Sequence, residues 1–315
     1  MLSVAPSFAG LALTAQQSLS KTRASAFATS VPDSAFTALE RDGYAVIPDW
    51  LQSDDAASVL ADALALEAAD QMHSAGLGGA AGSEASGWAT DRDIRRSRTV
   101  WIQQPLGMSS AAESGLSKLP ATRLALVHTM EALRSQLEAS EVGTEPLHGP
   151  ATMMSYLFYP VDGFFRRHRD GPRTIWASPF REHREVSFLL CTPIWCLEPQ
   201  RLAGEYGNSA AHALGPHLSG SDLDAGWRKE WGGALRVYTG RDPKTYVYRD
   251  DAEGEAAPHV DVLPEAGTLV LLRSPQIEHE VLPTRRPRHC VVGWFCAVVE
   301  QGRVQPARPL WVESI

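Results

Sequence analysis

The sequence predicts a mainly β protein, a jelly-roll sandwich with helices packed behind it. Three observations carry this reading. Beyond residue 150 the chain breaks into short runs rich in β-branched and aromatic residues, with Pro or Gly in the gaps. No segment in that half has the period of a helix of ten residues or more. Ahead of it, two segments do have that period, which places helices on one side of a set of strands.

The elements follow in order. Residues 1–32 contain no Asp or Glu, are rich in Ala, Ser and Thr, and carry charge only at Lys21 and Arg23. That is the composition of a targeting segment, with a disordered tail as the alternative. ASAFAT at 24–29 resembles the cleavage motif of plastid-targeting leaders in algae with secondary plastids. The expected location is a plastid if 1–34 is such a leader and the cytoplasm otherwise, and the folded part is expected to begin near Phe36. GYAVIPDWL (43–51) holds a short β-like run that ends at a proline. Ser53 suits a helix N-cap, and DDAASVLADALALEAAD after it reads as a helix. Residues 74–87, mostly Gly, Ala and Ser, read as a loop. Pro120 suits the first turn of a second helix over 120–139, where Leu126, Met130, Leu133 and Leu137 fall on one face.

Strands are expected at 152–159, 164–169, 184–192, 234–238, 259–263, 267–273, 278–282 and 288–299, with insertions at 196–231 and 240–257. This divides the chain into a leader or tail (1–34), a supporting strand and helices (35–150), a jelly-roll core (151–302) and a C-terminal tail (303–315).

Composition excludes some functions. The net charge of −8 argues against a broad phosphate-binding surface, so no nucleic-acid partner is expected. No apolar run reaches the roughly 18 residues of a membrane-spanning helix. Cys191, Cys196, Cys290 and Cys296 fit neither a zinc ribbon nor a redox pair, and read as buried thiols. The sequence leaves the oligomeric state open.

The chemistry concentrates at FFRRHRDGPR (164–173). His168 and Asp170 sit two apart, and on a strand such residues point to one face. Alone, His-x-Asp is a weak signal, and a solvated turn is its commoner meaning. A third ligand from another strand would complete two His and one carboxylate, the set that holds non-haem Fe(II) with three positions open. His279, just after GTLVLLR, is the candidate. Nine residues on, Arg288 opens the last apolar strand and shares its parity with Cys290, Val292 and Trp294. A guanidinium aimed at a core needs an anion, and its planar fork suits a carboxylate.

In this order, HxD, GGALRVY, GTLVLL, and a His followed nine residues later by Arg, the chain resembles the Fe(II)- and 2-oxoglutarate-dependent dioxygenases, within them the prolyl 4-hydroxylases. HEVLPTRRPR is closer to the hypoxia-sensing type than to the collagen type, which usually carries Lys where Arg288 stands. GYAVIPDWL also looks like the opening strand of the group.

The resemblance covers roughly 36–300 and implies a double-stranded β-helix with Fe(2+) on His168, Asp170 and His279. It implies 2-oxoglutarate and O2 as cosubstrates, with L-ascorbate restoring oxidised iron. Arg288 would pair with the distal carboxylate of 2-oxoglutarate, Tyr159 would stand in the site wall, and Trp294 would occupy the family's aromatic position on the last strand. Cys191 stands where relatives of the hypoxia sensors carry a tyrosine that bonds 2-oxoglutarate, and either cosubstrate binding is weaker or Tyr156 substitutes.

The implied activity is hydroxylation of prolyl residues in a protein or peptide, with release of succinate and CO2. The same chemistry on a small molecule is the alternative, and a catalytically silent β-sandwich binding module the rival from another class. Arg166 and Arg167 read as a solvated face.

Overall fold

The computed structural model describes residues 26–78, 88–89, 92–103, 119–140, 142, 147, 152–170, 180–191, 226–239, 257–273 and 276–300. The helices are α1 (Asp33–Asp42), α2 (Ser53–Ala68) and α3 (Ala121–Ala139). The strands are β1 (Tyr44–Ile47), β2 (His73–Ser74), β3 (Leu77–Gly78), β4 (Trp88–Ala89), β5 (Arg95–Arg96), β6 (Arg98–Gln103) and β7 (Met153–Tyr159). They continue with β8 (Phe164–His168), β9 (Phe180–Cys191), β10 (Leu235–Tyr238), β11 (His259–Val262), β12 (Leu269–Leu272), β13 (His279–Val281) and β14 (Arg288–Glu300).

The strands form a seven-stranded sheet, β1-β12-β9-β14-β7-β6-β2, and a five-stranded sheet, β11-β10-β13-β8-β5, with β3 and β4 as a separate pair. Neighbours are antiparallel throughout. Two facing antiparallel sheets with helices on one side are the jelly-roll architecture expected from the sequence. Among the described residues no helix is long and apolar enough to cross a membrane.

Strand parity sorts the side chains into two cores. On β7, Met154 and Tyr156 face the helices, whereas Leu157 and Tyr159 face the five-stranded sheet. The helix-side core joins α2 and α3 to the large sheet: Val59 and Leu66 meet Leu126, Met130, Leu133 and Leu137, then Phe188, Val291 and Phe295. The four α3 residues predicted to share a face are all buried there. The core between the sheets contains Leu189, Cys191, Leu235, Val237, Val270 and Cys290.

The fold departs from the expectations in four places. Helix α1 begins at Asp33, inside the expected leader, and ends where Gly43 takes φ 81° and donates its N–H to the Leu39 carbonyl. Before it, Phe27 and Val31 pack on the helix-side core and the Phe27 N–H reaches Thr129 Oγ1 at 2.9 Å. Ordered packing therefore starts about nine residues ahead of Phe36, because two apolar side chains cover α3. The rest of the expected leader, 1–25, lies outside the described residues.

Second, Leu77–Gly78 pair with Trp88–Ala89, so the expected 74–87 loop starts as a strand pair. Third, β6 joins the large sheet beside β7, although Arg98 at its start obscured the alternation. Fourth, Gln52, not Ser53, precedes the first turn of α2. Most of the insertions 196–231 and 240–257, the loop 171–179, Cys196 and the tail 303–315 lie outside the described residues. At Gly232 and Gly233 both φ values are positive, and a Cβ on Gly232 would meet the Pro283 carbonyl oxygen at 2.3 Å, so the glycines permit the expected close backbone approach.

Candidate metal and anion site

The site lies between the two sheets. β8 and β13 are neighbours in the smaller one, and His168 and His279 are register partners. A shift of register between His279 and Val281 lets Phe165 also turn inward, where its ring stacks on His168 at 3.6 Å. Asp170 follows two residues after the end of β8 and is buried. The two imidazole rings are 4.4 Å apart. His168 Nε2 is 3.8 Å from Asp170 Oδ1, and His279 Nε2 is 3.9 Å from Asp170 Oδ2. One ligand atom from each residue lies within 4.8 Å of the others, and among the described residues no other such group occurs.

Backbone carbonyls preset the tautomers. His168 Nδ1 lies 2.7 Å from the Arg166 carbonyl and His279 Nδ1 lies 3.2 Å from the Ile277 carbonyl. With Nδ1–H donating to each carbonyl, both Nε2 lone pairs point to the centre. Burial, then the neighbouring His279, lowers the His168 pKa to about 3 against the opposing pull of Asp170. His168 is therefore a neutral imidazole at pH 7, the form that ligates a metal.

The side chains that alternate with the ligands tie their strands together. Glu278 Oε2 accepts from Arg167 Nε at 2.5 Å, and Oε1 accepts from Arg169 Nε and Nη2 at 3.1 and 3.0 Å. Arg167 also lies 3.9 Å over the Tyr238 ring, whose hydroxyl donates to Glu280 at 2.6 Å. The expectation of a solvated face holds for Arg166 and fails for Arg167, which pairs because the parity that sends His168 inward sends Arg167 to the side where Glu278 stands.

The large sheet supplies the second half of the site. Asp170 Oδ2 accepts hydrogen bonds from Ser187 Oγ on β9 and from Trp294 Nε1 on β14, the latter at 2.8 Å. Arg288, at the start of β14, is fully buried opposite Tyr159 of β7, with its guanidinium carbon 5.3 Å from that ring's centre. Among the described residues none of its three guanidinium nitrogens has a hydrogen-bond partner of normal geometry, and the Cys191 thiol, a weak acceptor, stands beside it. The thiols and the phenol that surround it are neutral. Burial pushes the Cys290 thiol and the Tyr159 phenol up to about 12, and raises the Cys191 thiol as well.

A buried guanidinium remains charged and is costly without a partner, so these residues fit a carboxylate delivered from outside the chain. Arg285 is exposed, and Arg286 lies 5.0 Å over the Trp231 ring. The predicted inward parity thus singles out Arg288 correctly.

The expected site residues divide as follows. His168, Asp170 and His279 come together, and Arg288, Tyr159 and Cys191 form a second group. Trp294 bonds the carboxylate of Asp170, a contact the sequence did not reveal. Tyr156 cannot substitute for the missing third-strand tyrosine. It faces the helices and donates to Asp62 Oδ2 at 2.7 Å, and that carboxylate also takes Arg123 at 2.7 and 3.1 Å. Sequence reasoning missed Ser187, although it shares its parity with Leu189 and Cys191. It also missed Arg95, whose guanidinium sits 4.5 Å over Phe165.

Residues 222–296 match the family described as the 2OG-Fe(II) oxygenase superfamily, a segment that includes His279, Arg288 and Trp294. Among solved structures, a prolyl hydroxylase from Trichoplax adhaerens, in complex with a hypoxia inducible factor oxygen degradation domain peptide fragment, is 17% identical with a TM-score of 0.51 over 90% of this chain and 92% of that one. A Pseudomonas putida prolyl-4-hydroxylase is 20% identical (TM-score 0.46; 84% and 97% of the chains). The non-heme alpha ketoglutarate dependent carbocyclase SnoK from nogalamycin biosynthesis is 12% identical (TM-score 0.49; 92% and 98%). No curated protein gives a significant match. At 17% identity the likeness to the Trichoplax structure concerns the fold, and it agrees with the two-sheet jelly roll found here.

Proposed function

We propose that the chain is an Fe(II)- and 2-oxoglutarate-dependent dioxygenase that hydroxylates prolyl residues of a protein or peptide. The observation that carries the oxygenase reading is the pairing of two incomplete polar groups between one pair of sheets. One is a His168–Asp170–His279 set with both Nε2 atoms turned inward. The other is the buried guanidinium of Arg288, which among the described residues has no carboxylate or other strong acceptor as partner. The family match over 222–296 supports the same reading. The prolyl assignment rests on the motifs GYAVIPDWL and HEVLPTRRPR.

His168, Asp170 and His279 would hold ferrous iron, and Arg288 would hold the distal carboxylate of 2-oxoglutarate. With O2 these groups supply oxidising chemistry that releases succinate and CO2 and places one oxygen atom in a substrate C–H bond. The chain's part is orientation and shelter. The Ile277 and Arg166 carbonyls hold the imidazole tautomers, and Arg288 offers two parallel N–H donors to one carboxylate, which fixes the cosubstrate's direction. Tyr159, Cys191 and Cys290 bury that contact, strengthening it by excluding water. L-ascorbate is the proposed reductant for iron oxidised without turnover.

The test is a screen of prolyl peptides and small metabolites that reads succinate release, with mass spectrometry for the gain of one oxygen. Hydroxylated proline in a peptide supports the proposal. Oxygen gained only by a metabolite would move the substrate to the small-molecule class. Absence of 2-oxoglutarate binding would remove the oxygenase reading and favour a silent binding module.

A further inference from the structure

We infer that Ser187 and Trp294 are positioning residues that reserve one oxygen of Asp170 for the metal. This inference rests on the reading of His168, Asp170 and His279 as a metal set. A carboxylate oxygen has two lone-pair sites. On Asp170 Oδ2 both are taken, one by Ser187 Oγ and one by Trp294 Nε1 at 2.8 Å. The two donors come from different strands of the large sheet, and they are register partners in the β9–β14 ladder. They therefore approach the carboxylate as one rigid pair.

Asp170 itself lies beyond the end of β8, where no strand pairing fixes it. The terminal torsion of a carboxylate is broad, and two donors on one oxygen narrow it. With the pair in place both lone-pair sites of Oδ2 are engaged, although it lies 3.9 Å from His279 Nε2, and Oδ1, 3.8 Å from His168 Nε2, is the oxygen that would serve a metal. Both donors are buried or half-buried, so water would replace either one poorly.

The experiment is calorimetric titration of Mn(II) into the full chain and into Asp170→Ala, Ser187→Ala, Ser187→Thr and Trp294→Phe. The visible absorption of bound Co(II) and the melting temperature are followed in each. Ser187→Ala and Trp294→Phe should each weaken Mn(II) binding about tenfold and shift the Co(II) bands. Ser187→Thr, which keeps the hydroxyl, should stay within about threefold of the parent. The double variant should lose less than the product of the single losses, because both donors act on one oxygen.

The inference is overturned if Asp170→Ala abolishes binding while Ser187→Ala and Trp294→Phe remain within about threefold of the parent. It is also overturned if those two lose only melting temperature and the Co(II) spectrum stays the same. If the parent does not bind Mn(II), or Asp170→Ala binds as the parent does, the metal set itself is wrong and this inference falls with it.

Discussion

Tyr156 and Tyr159 stand three residues apart on β7 and face opposite sides of the large sheet. Tyr156 Oη donates to Asp62 in the helix layer, and Tyr159 lines the chamber where Arg288 is buried. The two tyrosines should therefore separate stability from cosubstrate binding. Tyr156→Phe removes a hydrogen bond to a carboxylate and should lower stability by about 1.5 kcal/mol, leaving the dissociation constant of 2-oxoglutarate unchanged. Urea unfolding and a 2-oxoglutarate titration on the same variant check both halves.

Arg288 should show the reverse relation. Truncation to Ala should raise the apparent Michaelis constant for 2-oxoglutarate about ten- to a hundredfold, at roughly 1.4 kcal/mol per factor of ten, with Mn(II) affinity little changed. Arg288→Lys should recover part of the loss, and Arg285→Ala and Arg286→Ala should be silent. An unpaired buried charge burdens the fold until its anion arrives. Arg288→Met should accordingly melt higher than the parent without cosubstrate and lose the rise in melting temperature that saturating 2-oxoglutarate gives the parent.

Glu278 holds both ligand-bearing strands through Arg167 and Arg169. All three side chains are mostly buried and none fully, so the network is worth more than a surface pair and less than a dry one. Glu278→Gln should cost about 1 kcal/mol of stability and weaken Mn(II) binding several-fold. Raised salt should screen the parent's ion pairs and narrow both differences from the variant. A Glu278→Gln variant with parental metal affinity would show that the strand pairing alone sets the distance between His168 and His279.

The N-terminal segment divides at Phe27. Deleting residues 1–25 should leave the melting temperature and turnover unchanged. Deleting 1–32 strips Phe27 and Val31 from the helix-side core and should cost about 2 kcal/mol, the scale of burying one or two apolar side chains. Thermal melts of the two truncations decide it.

Much of this architecture was legible because burial imposes a period on the sequence. The i, i+4, i+7, i+11 spacing of Leu126, Met130, Leu133 and Leu137 located α3, and alternation along β14 pointed Arg288 inward. Where burial is thin the period fails. α1 buries only Ala35 and Leu39, and β5 and β6 begin with arginines whose stems pack while their heads bond loops and aromatic faces.

The grouping of the candidate site was legible, since His-x-Asp and an Arg nine residues after a His are contiguous patterns. Its supports were not. Ser187 meets Asp170 across 17 residues and Trp294 meets it across 124, separations that no local pattern encodes. Tyr156 was the avoidable error, because an even step from Tyr159 would be needed for the two to share a face.

β14 keeps unbroken register with β7 from Arg288 to Trp294 and with β9 from Cys290 to Phe295. Arg288, the proposed anchor for a distal carboxylate, and Trp294, the donor to Asp170, are thus two marks on one stiff ruler. No hinge lies between them to stretch or shorten the gap, and a slip of one residue would turn both away from the chamber. The chamber would therefore act as a length gauge for keto acids, admitting one reach and excluding a homologue one carbon shorter or longer. Substrate preference, by contrast, would be free to vary elsewhere in the chain without disturbing that measure.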